Sequence, residues 1–384
     1  MKLETSLIDR VLQLKKHLHF KSEGPRNALL SYVLFPPVLS EESWYFRKTH
    51  TNRAICKLFT EALVEIGFNV SVYSYLDEDI DTSVKYDLFI GHNIHFHKIA
   101  KKIQPGAIKV LLTTGSSPTY DNSQLARRNE ALRRRRSVLN CNFYRPIEEP
   151  DYPYLNFKVA DWVYMIGAPS IVSETWYPEF RNKFVAYKNL TQFRPTISKR
   201  KKKNDLVGAN AFVYLSSVGN LRRGLDLVLE TFSSLKDQRV FICGPYAAER
   251  EFCALYKKEL FHTPNIVPMG FVDTNSRRFS DMIQESDFGI LPSCSEGQSG
   301  SVLNLMSKGL MPVITKECGY ENVNDYGFLI PGDSLDSVLE TVKRAALTTE
   351  DQRMLKRRNL FLKSLEHTSP MIKLDFVKFL LSII

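Results

Sequence analysis

The sequence predicts an α/β protein of two Rossmann-like domains, each with a parallel sheet, facing each other across a cleft. Short apolar runs closed by Gly or Pro alternate with amphipathic stretches along most of the chain. That is the pattern of strands and crossover helices in a sheet covered on both faces. The alternation stops once, near 195–208, where PTISKRKKKNDLVG holds a proline, a glycine and the run KRKKK at 199–203 with little to bury. Such a composition reads as a linker. At 384 residues the chain has room for two domains of ordinary size. The expected division is a first domain over 1–200, a second over 205–368, and a terminal helix over 369–384.

Taken in order, residues 1–20 read as a helix, with Leu7, Val11, Leu14 and Leu18 on one stripe. SEGPRN breaks it, and Ala28–Phe35 is the first strand, stopped by Pro36 and Pro37. HTN at 50–52 supplies a helix cap. Behind it Ile55, Leu58, Phe59, Ala62, Leu63 and Ile66 keep helical spacing up to Gly67, a natural stop. Val70–Tyr75, Tyr86–Gly91, Lys109–Thr114, Trp162–Gly167 and Phe184–Tyr187 are further strands, with helices over Phe96–Lys102 and Ser123–Arg136. GSSPTYDN before that second helix reads as a turn.

Beyond the linker the strands are Phe212–Ser216, Val240–Gly244, Ile266–Gly270, Phe288–Leu291, Pro312–Thr315 and Phe328–Ile330. Helices fall near 225–235, 248–260, 276–285, 299–308 and 334–346. The last stretch, MIKLDFVKFLLSII, is apolar enough to dock on a domain, touch a membrane or join a second copy.

One stretch organises the rest: FGILPSCSEGQSGSVLNLMSKGLMPVIT, 288–315. A buried strand ends at Pro292, and a small polar loop holds one acid, Glu296, beside Gly297 and Gln298. A helix then opens near Ser299, with Val302, Leu305 and Met306 on its apolar face and Gly300, Ser301 and Asn304 on the other. Its unpaired leading N–H groups and partial positive charge suit a phosphate or a sugar hydroxyl. A second constellation, SSVGNLRRG at 216–224, puts Arg222, Arg223 and Gly224 at the start of another helix. Positive charge there is unfavourable unless an anion is near, and a guanidinium fork is the group that grips one.

These two stretches resemble the donor-site signature of retaining GT-B glycosyltransferases of family 4. The resemblance covers the second domain and is looser over the first, which in the family recognises the acceptor. It implies that Glu296 contacts the donor sugar and that Arg223 binds the donor diphosphate. It places Asn304, eight residues after Glu296, where the family has a glutamate on the ribose. Gly270, Phe271 and Val272 match the loop beside the nucleotide base. The family's usual arginine after the strand is replaced by Val218, with Arg222 as a substitute. Its histidine after the strand matching Lys109–Thr114 is absent, the residues being Thr113, Thr114, Gly115 and Ser116. His50, Asn52, Gly115 and Ser116 are the expected acceptor-side positions, and no general base is assigned. In such enzymes the last helix crosses back to the first domain, which the resemblance implies for 369–384.

Composition narrows the rest. A hydrophobic fraction of 43% and a charged fraction of 24% are those of a soluble globular protein. No apolar run reaches a membrane span, and the charged amphipathic N-terminus does not read as a secretory signal. Six scattered cysteines without a CxxC pair argue for reduced thiols in a cytoplasmic protein. The formal charge of +10 suits nucleotide phosphates or an anionic membrane face; with no nucleic-acid motif, nucleic acid is not expected. His92, His95 and His97 have an HxH spacing without a third ligand, and DEDID at 77–81 reads as a solvated acidic loop, so no metal site is expected. The basic helix RRNEALRRRR (127–136) is open between a solvated face, a lipid-docking face and a grip on a phosphorylated acceptor.

The resemblance implies metal-free transfer of a sugar from a nucleotide diphosphate donor to a glycan or lipid-linked acceptor, without a cofactor. It points to surface polysaccharide synthesis in the cytoplasm, with possible peripheral contact at the inner membrane face. The alternatives are an inactive GT-B-shaped scaffold and a nucleotide-sugar epimerase of the same fold.

Overall fold

The computed structural model describes residues 17–40, 51–92, 94–138, 151–197 and 210–384, with positions 8, 12, 43, 45, 46 and 143 between them. The linker run 199–203, His50 and most of the predicted first helix lie outside these residues. In chain order the strands are β1 (His17–Phe20), β2 (Arg26–Tyr32), β3 (Phe68–Ser74), β4 (Leu88–His92), β5 (Ile108–Thr113), β6 (Trp162–Ile166), β7 (Phe184–Tyr187), β8 (Ala211–Leu215), β9 (Arg239–Cys243), β10 (Ile266–Gly270), β11 (Phe288–Leu291), β12 (Met311–Thr315) and β13 (Phe328–Ile330). The α-helices are α1 (Asn52–Glu65), α2 (Phe96–Lys102), α3 (Pro118–Arg136), α4 (Tyr152–Val159), α5 (Pro169–Val172), α6 (Leu225–Ser234), α7 (Arg250–Leu255), α8 (Lys257–His262), α9 (Arg277–Gln284), α10 (Gly300–Ser307), α11 (Val323–Tyr326), α12 (Leu335–Ala346), α13 (Glu350–Leu365) and α14 (Ser369–Ile383).

Two compact units result. The first joins Met1–Gly115, Pro150–Gln192 and His367–Ile384; the second joins Ser116–Glu149 and Phe193–Glu366. The first holds a sheet of order β1-β3-β2-β4-β5-β6-β7, parallel except for β1 against β3. The second holds an all-parallel sheet of order β10-β9-β8-β11-β12-β13. The alternation of apolar runs and amphipathic helices thus produces the expected α/β class with two parallel sheets.

Four of the changed local readings have a clear physical cause. Residues 17–20 are a strand, because HLHF alternates with Leu18 buried and His17 and His19 turned outward; that period of two outweighs the helical stripe drawn through Leu18. Helix α3 begins at Pro118, not Ser123: the Ser117 hydroxyl accepts from the Tyr120 N–H at 3.1 Å and proline takes the first helical position, a start signal within what reads as a turn. Helix α13 is additional. Thr349 and Gln352 form a reciprocal capping box at its start. The fourth change is the grouping of α3, which packs with the second unit although it precedes 200 in sequence.

In the first unit α14 lies against α1 and β7. Phe376 stacks on Phe59 with centroids 3.8 Å apart, and Phe379 on Tyr164 at 4.4 Å. Both Phe376 and Phe59 are fully buried. Phe376→Ala is therefore expected to cost about 3–5 kcal/mol, as aromatic truncations in packed cores do. The check is the urea midpoint of unfolding, with the far-UV spectrum of the folded state unchanged.

Candidate functional site

In the second sheet the strand order reverses between β8 and β11, since β9 lies outside β8 and β12 outside β11. Ligands of doubly wound sheets bind beyond the carboxyl ends of the strands at such a reversal. The loop after β8 carries Arg222, Arg223 and Gly224, and the loop after β11 carries Glu296, Gly297, Gln298 and Ser299. Two stretches some seventy residues apart in sequence therefore meet at one switch point.

Their side chains touch. The Arg223 guanidinium forms an ion pair with the Glu296 carboxylate, both being largely buried. Ser293 Oγ donates to Glu296 Oε1 at 3.3 Å. Arg222 Nε donates to the Ser295 carbonyl at 3.2 Å, and the Arg222 carbonyl accepts from the Cys294 N–H at 3.0 Å. Burial, and then the neighbouring Arg222 charge, lowers the Arg223 pKa to about 10. The group stays protonated at neutral pH. Because its folded-state value lies below the ordinary one, holding this cation costs stability at every pH below about 10, and the cost fades as pH rises through that value. An anion beside Arg223 offsets that cost.

Gly224 makes the close approach possible. It caps α6 at φ 74°, and a Cβ there would lie 2.3 Å from the Pro292 carbonyl oxygen. Two further donors of the loop are engaged internally, since the N–H groups of Gly219 and Asn220 both point at Glu249 Oε1, at 2.7 and 2.9 Å. The arginines thus stand in the turn before α6 rather than in its first turn.

A third loop, after β12, backs the acid loop. Gln298 Nε2 donates to the Gly319 carbonyl at 3.0 Å, the Ser299 N–H to the Cys318 carbonyl at 3.0 Å, and the Tyr320 hydroxyl to the Ser299 carbonyl at 2.8 Å. Gly319 sits at φ 81°, where a Cβ would fall 1.9 Å from the Gly297 carbonyl oxygen. These bonds fix the start of α10, whose leading N–H groups have no partner within the helix. Gly300, Ser301 and Asn304 are half-buried on that helix.

Helix α3 and the turn before it supply groups that sequence reading did not assign to this place. Ser116 Oγ donates to the Glu296 carbonyl at 2.6 Å, so Ser116 stands with the acid loop. Asp121 Oδ1 lies 3.0 Å from Arg222 Nε. Arg128, fully buried, donates from Nη2 to the Pro292 carbonyl at 3.0 Å and lies 3.8 Å from both Asp226 and Asp333. Arg135 bridges Asp226 and Glu230, and Arg136 pairs with Glu259 at 2.8 Å. The basic helix is therefore mainly a clamp on carboxylates of its own unit. The partners were visible only as separate charges, arginines 128 and 135 on α3 and carboxylates 226 and 230 on α6, and only the fold brings them together.

The other predicted positions separate. Phe271 is 79% exposed just past β10, whose last residue, Gly270, is half-buried at φ 67°. Val272 is buried in the core with Phe279 and Met282. In the first unit Asn52 opens α1, and the Gly115 carbonyl accepts from Trp176 Nε1 at 2.8 Å. His95 Nδ1 lies 3.2 Å from Glu78, and His97 is bound to Asn156. Among the described residues no three His, Cys, Asp or Glu side chains converge as a metal site would require.

Residues 210–346 match the model of the family described as Glycosyl transferases group 1. No curated protein matches the sequence. Solved structures do. Sucrose-phosphate synthase from Thermosynechococcus elongatus superposes with a TM-score of 0.62 at 11% identity, covering 93% of this chain and 99% of that one. A trehalose-6-phosphate synthase studied for glycosyl transfer with retention gives 0.58 at 9%, covering 94% and 100%. WaaG, a glycosyltransferase involved in lipopolysaccharide biosynthesis, gives 0.53 at 15%, covering 92% and 98%. The fold is that of the GT-B glycosyltransferases.

Proposed function

We propose that the protein is a retaining, metal-independent glycosyltransferase that moves a sugar from a nucleotide diphosphate-sugar to a glycan or lipid-linked acceptor. The contact between Arg223 and Glu296 at the switch point of the second sheet carries this reading. A cation that is costly to bury, beside the start of α10, is a receptor for a leaving diphosphate. A carboxylate in the same spot can hold sugar hydroxyls. The donor's anomeric C–O bond breaks toward the diphosphate, whose growing charge Arg223, Arg222 and the α10 N–H groups neutralise. The acceptor oxygen bonds to the anomeric carbon from the face the diphosphate leaves, and its proton passes to a leaving phosphate oxygen, so the configuration is retained. Asn304 holds the ribose without charge, and the exposed ring of Phe271 offers a face to the base.

The acceptor belongs to surface polysaccharide synthesis, and the protein meets it by peripheral contact at the inner membrane face. The formal charge of +10 and the structural likeness to WaaG support this. Among the described residues no helix is long and apolar enough to cross a membrane.

The test is a panel of UDP-glucose, UDP-N-acetylglucosamine and GDP-mannose, followed by nucleotide release and by NMR of the product anomer, with and without EDTA. The expected result is turnover of one donor that EDTA leaves unchanged, with the α-anomer formed from the α-linked donor. Inversion, or activity abolished by EDTA and restored by Mg²⁺, overturns the respective part of the reading.

A further inference from the structure

The first sheet has its own reversal of strand order, between β2 and β4, because β3 lies outside β2 and β5 outside β4. The rule that locates the donor loops in the second unit therefore singles out the carboxyl ends of these two strands. Their last residues are Tyr32 and His92, one step past the paired Ser31 and Gly91. The two rings meet edge-on with centroids 5.4 Å apart, and Tyr75, just beyond β3, meets the imidazole from another side at 5.7 Å. The plane of His92 is thus fixed by two aromatic neighbours.

Its tautomer is fixed by chemistry. Nδ1 lies 2.9 Å from the Leu112 carbonyl oxygen, and a carbonyl only accepts, so Nδ1 carries the proton and donates. In the neutral ring Nε2 then holds a lone pair. Burial lowers the imidazole pKa, and the Leu112 bond opposes this more weakly, so the ring is neutral at pH 7. Nε2 has no hydrogen-bond partner among the described residues, and His92 is half-buried and open to solute. Beside it the Tyr32 hydroxyl is buried with no partner among the described residues. A fixed, uncharged acceptor nitrogen at a strand-end crevice is a receptor for an O–H donor.

We infer that His92 Nε2 accepts a hydrogen bond from the hydroxyl of a sugar or polyol acceptor, making the β2–β4 strand ends of the first unit an acceptor subsite. This rests on the transferase reading and deepens it.

The experiment uses the full chain with glucose, glucose 6-phosphate, N-acetylglucosamine and glycerol as acceptors and the donor found active above. His92→Asn keeps a donor for the Leu112 carbonyl but removes the Nε2 lone pair, so a purely structural histidine would tolerate it. The expected result is an acceptor KM raised at least about tenfold, with donor KM and nucleotide release into water within about twofold of the wild type. His92→Gln, whose amide oxygen reaches farther, recovers part of the loss. An unchanged acceptor KM in His92→Asn, or equal rises for donor and acceptor, overturns the assignment while leaving the transferase reading intact. A wild-type protein that cleaves no nucleotide-sugar overturns that reading first. Independently of activity, long-range ¹H–¹⁵N spectra of the imidazole are expected to show the Nδ1–H tautomer, and an Nε2–H tautomer also overturns the assignment.

Discussion

Arg223→Ala lowers kcat/KM for the nucleotide-sugar by about 10²- to 10³-fold, with the protein still folded. That is the loss seen when one pre-placed donor to a developing negative charge is removed. The reason for so large an effect is the site's dryness: Arg223 is largely enclosed and already carries a lowered pKa, so its field on an adjacent phosphate is poorly screened. Glu296→Ala is expected to fall by a similar factor, and the double variant by little more than either, because the two side chains form one pair. Steady-state kinetics on the four proteins, with thermal melts alongside, checks this. Activity within a few-fold of the wild type in Arg223→Ala removes the diphosphate role.

The second large effect is on stability. Arg128→Met is expected to cost about 3–5 kcal/mol, the range for removing one partner of a buried ionic cluster. Arg128 is fully buried beside the equally buried Asp226, and the variant leaves that carboxylate with Arg135 alone. Burial already raises the Asp226 pKa above its usual range. Protonation at lower pH discharges the stranded group, so the deficit relative to the wild type shrinks as pH falls. Urea titrations of both proteins at two pH values measure it. A constant deficit contradicts the role given to Asp226. The Pro292 carbonyl also loses its donor, so activity falls further than the melting temperature alone would suggest.

Apart from β1 the sheets were legible because each strand is a short apolar run with local punctuation: Pro292 closes β11, and the helix stops at Gly67 and Gly309 precede β3 and β12. Arg223 and Glu296 were legible as well, since each sits beside a glycine at a strand-to-helix junction. The supporting residues were not. Arg128, Asp121 and Tyr320 act through partners 98 or more, 101 and 21 residues away, and nothing local distinguishes them from solvated or core side chains. Val272 and Phe271 read alike as one loop, yet tertiary packing turns the valine inward and leaves its neighbour exposed. His92 was read with His95 and His97 as a spacing pattern. Its chemistry depends on the carbonyl of a neighbouring strand, which a sequence does not display.

Helix α14 completes the first unit with residues that follow every part of the second. During translation the aromatic face around Phe59 and Tyr164 stays uncovered until α14, which starts four residues after α13 ends, leaves the ribosome. The second unit has all of its own elements by then and can close first. The first unit therefore cannot be completed before the second has been synthesised, and until then it presents an apolar surface of the kind that chaperones bind.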